Sequence, residues 1–274
     1  MSKVIRGDVK LVEPKSPNLI PERDADKRPV LEATNLGIDF GGLTAVDDFN
    51  IALGRTEISG LIGPNGAGKT TVFNLLTNVY KPTRGSILLD GMATAGKSVY
   101  EVNRMGIART FQNIRLFSKM TVEENVLVGF GNSMKSSLAT DLLRLPGHWR
   151  QEAEYHDKAL ELLDIFGMRK FADTQAGNLP YGAQRRLEIL RALATNPKVL
   201  LLDEPAAGMN PIQKIRDEFG IAILLIEHDM SLVMGVCEVV GVLDYGRIIA
   251  KGTPEQIQNN PKVIEAYLGK QGVN

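Results

Sequence analysis

The feature that most constrains this chain is a glycine-rich turn between an apolar segment and a helical one. The apolar segment ends at Ile62, and Gly63-Pro-Asn-Gly-Ala-Gly-Lys-Thr-Thr71 follows, which fits the pattern G-x-x-x-x-G-K-[ST]. Glycines let consecutive backbone N–H groups point inward at phosphate oxygens, and the next helix adds its positive end. Lys69 brings a cation to the β- and γ-phosphates, and the Thr70 hydroxyl can join an Mg²⁺ shell. The turn is therefore predicted to bind a nucleoside triphosphate through Gly63, Pro64, Asn65, Gly66, Ala67, Gly68, Lys69, Thr70 and Thr71.

Apolar periodicity along the rest of the chain predicts an α/β fold. Strands are expected over 30–40, 43–53, 57–63, 86–89, 199–203, 221–227 and 239–244, and helices over 68–79, 181–195 and 212–219. Strand–helix alternation in the last third indicates a parallel sheet with crossover helices. The middle of the chain, 121–171, has helical periodicity and predicts a helical lobe at about 113–180. Residues 1–29 carry four of the 13 prolines and are expected to form a mobile extension, with a packed arm as the alternative.

Composition excludes several classes of protein. Lys and Arg together number 32, as do Asp and Glu, so no overall field drives binding to nucleic acid. No apolar run approaches the ~18 residues of a membrane span, and the first residues contain no secretory apolar region. The single cysteine, Cys237, excludes an internal disulfide, and three separated histidines disfavour a His-rich metal site. These features predict a cytosolic protein or one docked on the cytosolic side of a membrane.

Polar side chains follow two of the predicted strands. Because side chains alternate along a strand, Asp203 and Glu204 are expected to differ in role, one holding Mg²⁺ through water and the other polarising an attacking water. The alternative is a solvated strand end. His228 follows the next strand, at the sheet edge where ligands collect, and is either catalytic or a structural hydrogen-bonding residue. Gln112 lies in a polar turn, where it either senses Mg²⁺ and the water or is simply solvated.

These elements, in this order, resemble the ATP-binding subunits of ABC transporters over residues 30–269. The resemblance implies one ABC ATPase domain of the P-loop NTPase class over 30–274. Its mixed sheet core would have parallel RecA-like strands, beside an antiparallel β subdomain and the helical lobe. The corresponding motifs are Walker A at 63–71, Walker B at 199–204, the Q-loop at Gln112, the D-loop at 207–210 and the switch loop at His228. Phe40 looks like the A-loop aromatic that stacks on adenine, unless it packs in the core.

Longer stretches are similar to the LivG-type ATPases of branched-chain amino-acid importers. They are 107–117, 179–189, 203–208, 226–230 and 252–269. The similarity implies a peripheral protein on the cytoplasmic face of the inner membrane that hydrolyses ATP with Mg²⁺. It would pair with a LivF-like ATPase, or with itself, beneath two membrane-spanning permease subunits. A periplasmic binding protein would deliver the amino acid, and nucleic acid would have no part.

The family also implies roles for individual residues. Glu204 would be the general base, His228 would report the γ-phosphate, and Thr70, Asp203 and Gln112 would manage Mg²⁺ and water. Each site would form between two ATPase subunits, and the second subunit would contribute Tyr181 and Gly182 at the start of its signature helix. Coupling to the permeases would use the lobe and an apolar surface, although the same side chains could face the domain's own core; they are Ile114, Leu116, Phe117 and Met120.

The chain departs from the family in two places. Pro180, Tyr181 and Ala183 stand where the general signature L-S-G-G-Q has serine, glycine and glutamine, so a weaker composite site is expected. His228 follows Asp203 by only 25 positions, which leaves a short crossover helix. Both departures motivate an alternative function, an ATP-dependent assembly or dimerisation module with weak or no hydrolysis. A GTPase or small-molecule kinase is disfavoured because the chain lacks an Asn-Lys-x-Asp guanine-reading tetrapeptide and because the signature helix has no counterpart in those families.

Overall fold

The computed structural model describes residues 28–132, 146–205 and 211–268. The chain groups into two compact units: the first runs to Ile107 and resumes at Lys198, and the second comprises Ala108–Pro197. Residues 1–27 of the predicted extension and the predicted D-loop at 207–210 lie outside the described residues. Among the described helices, none combines the length and the apolar character that a membrane crossing requires.

The elements follow the predicted order. The described strands are β1 (Leu31–Phe40), β2 (Leu43–Leu53), β3 (Ile58–Ile62), β4 (Arg84–Leu89), β5 (Met92–Ala93), β6 (Ile107–Arg109), β7 (Val199–Asp203), β8 (Ala222–Ile226), β9 (Val239–Asp244) and β10 (Arg247–Gly252). The described α-helices are α1 (Lys69–Leu76), α2 (Val99–Met105), α3 (Val122–Gly129), α4 (Pro146–Ile165), α5 (Tyr181–Ala194), α6 (Pro211–Phe219), α7 (Met230–Val236), α8 (Pro254–Gln258) and α9 (Pro261–Leu268). Single 3₁₀ turns lie at Phe130–Asn132, Arg169–Phe171 and Ala176–Asn178.

The helix after the phosphate loop is shorter than predicted. It ends at Leu76, because Asn78 adopts a left-handed φ of 55° that a continuing helix does not allow. The side-chain amide of Asn78 donates instead to the carbonyl of Thr94, at 2.6 Å. Val79, the last apolar residue of the predicted helix, is exposed. The helical spacing of apolar residues in the sequence therefore extends beyond the residue at which the helix ends.

An antiparallel sheet with strand order β2-β1-β4-β5 forms one layer of the first unit. β1 and β2 form a hairpin in which Phe40 pairs with Leu43. The two residues between them, Gly41 and Gly42, both have positive φ, which the tight hairpin turn requires and glycine adopts without a steric penalty. This sheet confirms the predicted antiparallel β subdomain.

A second sheet, of six strands, has the order β10-β9-β3-β8-β7-β6. β3 pairs in parallel with β8 and β9, and β7 pairs in parallel with β8, while β10 is antiparallel to β9. Every residue of β3, β7 and β8 is buried, which explains their nearly continuous apolar sequences. Because these strands run in one direction, their carboxyl ends meet at one edge, where ligands bind in such sheets. The predicted mixed sheet with a parallel core is confirmed.

The short crossover is compatible with this sheet. Helix α6 has nine residues, about 14 Å at 1.5 Å per residue. Nevertheless β7 and β8 pair along their full length, from Val199 with Ala222 to Asp203 with Ile226. Full pairing of β7 with β8 is therefore compatible with a crossover helix of nine residues.

The second unit is mainly helical. Helix α3 begins as predicted after Thr121, whose hydroxyl accepts the Glu124 N–H while the Glu124 carboxylate accepts the Thr121 N–H. This reciprocal capping box satisfies two donors that a helix start leaves without partners. Helices α3 and α5 approach closely at Gly129, where an added Cβ would lie 2.5 Å from the carbonyl oxygen of Arg191.

Candidate nucleotide site

The phosphate loop follows β3 directly, and at two of its positions only glycine avoids a steric clash. A Cβ on Gly63 would lie 2.0 Å from the carbonyl oxygen of Leu243, on the neighbouring strand. Gly68 has φ of 102°, and a Cβ there would lie 2.9 Å from the carbonyl oxygen of Ala45. The loop can therefore curl tightly between β2 and β9 only if both positions lack side chains. Helix α1 begins immediately after Gly68, so its N-terminal N–H groups face the loop.

Lys69 lies across this loop and is only 7% exposed. Its ammonium donates to the carbonyl oxygens of Gly63, at 2.7 Å, and Pro64, at 2.9 Å. Burial lowers the pKa of Lys69, while the charges of Glu204 and Asp203 act in the opposite direction. The predicted cation and the two predicted acids are thus electrostatically coupled within the first unit.

The adjacent acids at the end of β7 have different environments, as the strand alternation predicts. Asp203 is the last residue of the strand and is 2% exposed. Glu204 leaves the strand with a left-handed φ of 51°, while its N–H still donates to the carbonyl of Ile226 at 2.9 Å. This backbone turn directs the Glu204 carboxylate away from the buried position of its neighbour, and about a third of its side chain is exposed.

His228 meets Glu204 across the ends of β7 and β8. Its Nε2 lies 2.7 Å from Glu204 Oε1, so the Nε2–H tautomer of the ring can donate to this carboxylate. The loop that carries His228 is held by a buried acid, because the Glu227 carboxylate accepts the N–H groups of His228 at 3.1 Å and Asp229 at 3.5 Å. Burial raises the pKa of Glu227, and the charges of Glu204 and Asp229 raise it further. The geometry thus supports a polar role for His228 beside Glu204.

Cys237 packs near the same loop, but its thiol is not a candidate nucleophile. The thiol is buried, and burial, with a further contribution from Glu227, raises the pKa of Cys237 to about 12. The thiolate, which is the nucleophilic form, is therefore essentially absent at neutral pH.

Phe40 lies at the end of β1 and is 44% exposed. Its ring makes an edge contact with Tyr80, with ring centroids 5.3 Å apart. The alternative that Phe40 packs in the core is therefore wrong. An exposed aromatic face is what stacking on a nucleobase requires.

The remaining predicted site residues lie in the second unit. Gln112 is an exposed residue of the bend that follows β6. Tyr181 is the first residue of α5 and is largely exposed. In the described part of the chain, a Cβ added to Gly182 would meet no heavy atom within 4 Å, whereas Ala183 is buried. The helix start is thus open at Tyr181 and Gly182, and the alanine that replaces glutamine belongs to the core.

The predicted apolar coupling surface is only partly exposed. Phe117 is half-exposed and lies beneath the Arg191 guanidinium, 5.5 Å from the ring centroid. Ile114, Leu116 and Met120 are partly buried. Buried Asn125 holds the loop, accepting the Phe117 N–H at 3.0 Å and donating to the Phe117 carbonyl at 3.1 Å. Phe117 is therefore the member of this set that presents most of its apolar surface.

Sequence reasoning missed several residues that organise the site. A hydrogen bond joins the Tyr267 hydroxyl, on the last described helix, to the backbone of Gly63; burial raises the pKa of Tyr267 despite this bond. Arg185 and Glu188 form a buried ion pair whose partners lie beside Gln112. Tyr267 stood in the Ala-Tyr-Leu-Gly ending that carried part of the family resemblance, which was the available signal. Nothing in the sequence pattern identified the partner of Arg185.

Comparison with known proteins places these features in one family. The family model described as ABC transporter matches residues 46–207, and the model described as branched-chain amino acid ATP-binding cassette transporter matches residues 247–273. The LivG protein of Escherichia coli, a high-affinity branched-chain amino acid transport ATP-binding protein, is 49% identical over 252 residues, covering 89% of this chain and 99% of that protein. BraF of Pseudomonas aeruginosa, with the same description, is 46% identical over the same shares of the two chains.

A solved structure shows the same fold. It is the ADP conformation of an ATP-binding cassette of an ABC transporter, with a TM-score of 0.73 and 32% sequence identity, covering 88% of this chain and 99% of that one. The phosphate loop at the end of β3 and the acids at the end of β7 therefore belong to an ATP-binding cassette ATPase. The chain is a member of the ABC transporter family, in its branched-chain amino acid, LivG-type group.

Proposed function

We propose that this protein hydrolyses ATP at the edge formed by β3, β7 and β8, and so powers an importer for branched-chain amino acids. The observation that carries the proposal is the 2.7 Å contact between Glu204 and His228, beside a phosphate loop whose lysine is coupled to Glu204 and Asp203. A carboxylate and an imidazole in hydrogen-bond contact can accept and hold the proton that an attacking water loses. The LivG and BraF relatives, named for branched-chain amino acid transport, support the choice of substrate.

The residues of the first unit divide the work. The amides of 63–71 and the Lys69 ammonium would bind the phosphates, and Phe40 would stack on the adenine. Glu204 would act as the general base. His228, bonded to Glu204, would orient that carboxylate and report the presence of the γ-phosphate. Because Glu204 leaves its strand in a left-handed conformation, its carboxylate is displaced from the strand end that Asp203 occupies.

The donors present fit a magnesium ion. The Thr70 hydroxyl, the Asp203 carboxylate and the Gln112 amide are all oxygen donors, which Mg²⁺ prefers. Among the described residues no group of three or more His, Cys, Asp or Glu side chains could hold a metal by itself. One or two protein oxygens are sufficient for Mg²⁺, because substrate phosphates and waters complete its shell. When bound, the ion would neutralise charge that develops on the phosphates.

A composite site would use the second unit of another subunit. The open start of α5, at Tyr181 and Gly182, offers backbone N–H groups at a helix N-terminus that a γ-phosphate can approach. The partner subunit would be a LivF-like ATPase or a second copy of this chain. Two permease subunits and a periplasmic binding protein would complete the transporter, with this protein peripheral on the cytoplasmic face of the inner membrane.

The test is phosphate release by the assembled transporter in liposomes, with leucine-loaded binding protein, for the wild type and Glu204→Gln. Glu204→Gln should bind ATP with near-normal affinity and lose about 10²- to 10⁴-fold in kcat, the usual cost of removing a general base. Glu154→Gln is the matched control, because Glu154 is an exposed helix residue whose carboxylate pairs with Lys158 one turn away.

Near-normal hydrolysis by Glu204→Gln would show that Glu204 is not the base. An assembled wild-type transporter that hydrolyses ATP without moving leucine would refute the proposed substrate. If it did not hydrolyse ATP at all, the proposed function itself would fail.

A further inference from the structure

Helix α5 contains an ion pair in an unusual place. Arg185 Nη1 lies 2.9 Å from Glu188 Oε2, and the two side chains are only 3% and 2% exposed. Pairs at this i,i+3 spacing normally lie on the solvent face of a helix. A buried pair loses the hydration of both charges, and this cost is offset only when further hydrogen bonds satisfy the remaining donors and acceptors. The further partners of this pair therefore show what it is positioned to hold.

Those partners belong to one short segment, the bend after β6. Arg185 Nη1 donates to the carbonyl of Phe111, and Nη2 donates to the carbonyl of Gln112 at 2.9 Å. The Phe111 N–H, in turn, donates to Glu188 Oε1 at 3.4 Å. The Arg185 guanidinium thus donates to two consecutive carbonyls, those of Phe111 and Gln112. The Glu188 carboxylate accepts the Phe111 N–H, which precedes these carbonyls in the chain. All these groups lie within the second unit.

The same segment is held from the side by stacked cations. The Arg115 and Arg109 guanidinium groups lie 4.4 Å and 5.1 Å from the centroid of the Phe111 ring. The backbone at Phe111 and Gln112 is therefore fixed in direction, and the Gln112 side chain extends from this fixed backbone to the surface. Arg185 also stands one helical turn after Gly182, so the start of α5 and the Gln112 backbone are attached to the same rigid turn.

We propose that Arg185 and Glu188 are positioning residues that fix Gln112 and couple its placement to the start of helix α5. A small shift of α5, as Tyr181 and Gly182 engage a nucleotide, moves the two bound carbonyls with it. The Gln112 amide then approaches or leaves the metal and water that it is proposed to sense. This inference rests on the proposed function of Gln112 and Gly182, and it adds the side chains that connect them.

The chemistry requires arginine. The planar guanidinium presents donors in a fork that reaches two carbonyls and one carboxylate at once, whereas a lysine ammonium is a single point charge on a flexible chain. Glu188 is needed to compensate the buried charge and to hold the Phe111 N–H. Arg185→Lys and Glu188→Gln should therefore keep the helix but loosen the bend.

A double-mutant cycle on the assembled transporter tests the coupling. The variants are Arg185→Met, Gln112→Ala and the two together, with ATP hydrolysis measured at several Mg²⁺ concentrations. If Arg185 acts through Gln112, Arg185→Met should lower kcat about tenfold in the wild-type background but less than about twofold when Gln112 is already alanine. The Mg²⁺ concentration for half-maximal activity should rise in Arg185→Met, whereas KM for ATP should change little, because the phosphate loop is untouched.

Arg186→Met is the matched control, since Arg186 is the exposed neighbour on the same helix and should leave these values unchanged. Arg185→Lys and Glu188→Gln separate positioning from folding: each should show the same Mg²⁺ shift at temperatures below its own melting temperature, although loss of the buried pair lowers that temperature. Equal losses of kcat in both Gln112 backgrounds, or an unchanged Mg²⁺ requirement in every folded variant, would overturn the proposal. These results are distinct from failure of the proposed function, in which the wild type itself would not hydrolyse ATP.

Discussion

The phosphate loop and the Gln112 bend are both short polar segments that follow a strand, but different forces hold them. The phosphate loop is shaped by its own backbone, because Gly63 and Gly68 stand where a Cβ would collide with neighbouring carbonyls. The Gln112 bend is shaped by charged side chains, Arg185 and Glu188, that lie more than 70 residues later in the chain. A backbone-determined site is visible in local sequence, whereas a site held by distant side chains is not.

The difference has a functional side. A loop whose shape is set by steric exclusion is preorganised to bind phosphate in a fixed geometry. A bend suspended from a helix by hydrogen bonds moves whenever that helix moves. The first arrangement suits a binding site, and the second suits a sensor that must take two positions.

The largest expected effect is on nucleotide binding. Lys69→Ala should weaken ATP binding by about 100-fold or more, since it removes a charge-assisted contact to the phosphates. Arg185→Met, in the other region, should leave the same affinity within about twofold, because it perturbs no phosphate ligand. Isothermal titration calorimetry with ATP measures both. A large loss of affinity in Arg185→Met would erase the contrast between the two regions.

The second effect separates stability from function at two glycines. Gly63→Ala should lower the free energy of unfolding by about 2 kcal/mol or more, because its Cβ would overlap the Leu243 carbonyl. Gly182→Ala should keep or raise that free energy, by up to about 1 kcal/mol, because alanine favours a helix and has open space there.

Urea unfolding measures these stabilities, and phosphate release measures function. We expect Gly182→Ala to lose ATPase activity in the assembled transporter despite its stability. A stable and fully active Gly182→Ala would contradict the proposed composite site.

The smallest expected effect is a pH dependence of stability, in which two buried carboxylates, Glu188 and Glu227, should differ. Glu188 has Arg185 as its cation, whereas Glu227 is held by backbone N–H groups, and burial raises its pKa above the ordinary value of 4.5. The native state therefore binds the Glu227 proton more tightly than the unfolded chain does. The resulting stabilisation is complete below pH 4.5 and is lost as the pH rises through the raised pKa.

Glu227→Gln lacks this titration. The free energy of unfolding of the wild type, relative to this variant, should therefore fall as the pH rises above 4.5 and through the raised pKa of Glu227. Urea unfolding at a series of pH values from 4.5 upward measures the difference, and groups that do not interact with Glu227 cancel because they titrate equally in both proteins. A difference that stays constant or grows with pH would mean that the native state does not favour the protonated acid.

The sequence predicted much of the fold because its signals are local. The bounds of β2, β7 and β9 match the predicted strands, and α5 begins at the predicted Tyr181. The Walker-type loop and the two acids were recognised from residue types and spacing alone. The helix after the loop was predicted too long, because the spacing of apolar residues gives no sign of the left-handed backbone at Asn78.

The roles of paired residues were less accessible. His228 was left open between a catalytic and a structural role, and only the sheet shows that it touches Glu204, on the neighbouring strand. The sequence likewise left open whether Phe40 stacks on adenine or packs in the core, and its exposed side chain excludes packing in the core. The short crossover helix was visible in the sequence, but the full pairing of β7 with β8 was not, because strand pairing is a property of two distant segments.

The sequence alone determined the family, the phosphate loop and the two adjacent acids, since glycine tolerance, charge and strand alternation are encoded within a few residues. Tertiary structure decided which side chains meet: His228 with Glu204, Tyr267 with Gly63, and Arg185 with the backbone of Gln112. The physical reason is that each contact joins residues far apart in the sequence, which the folding of the first unit or of the second brings together. A hydrogen bond forms only at about 3 Å, and the residues next to either partner in the sequence do not reveal that distance.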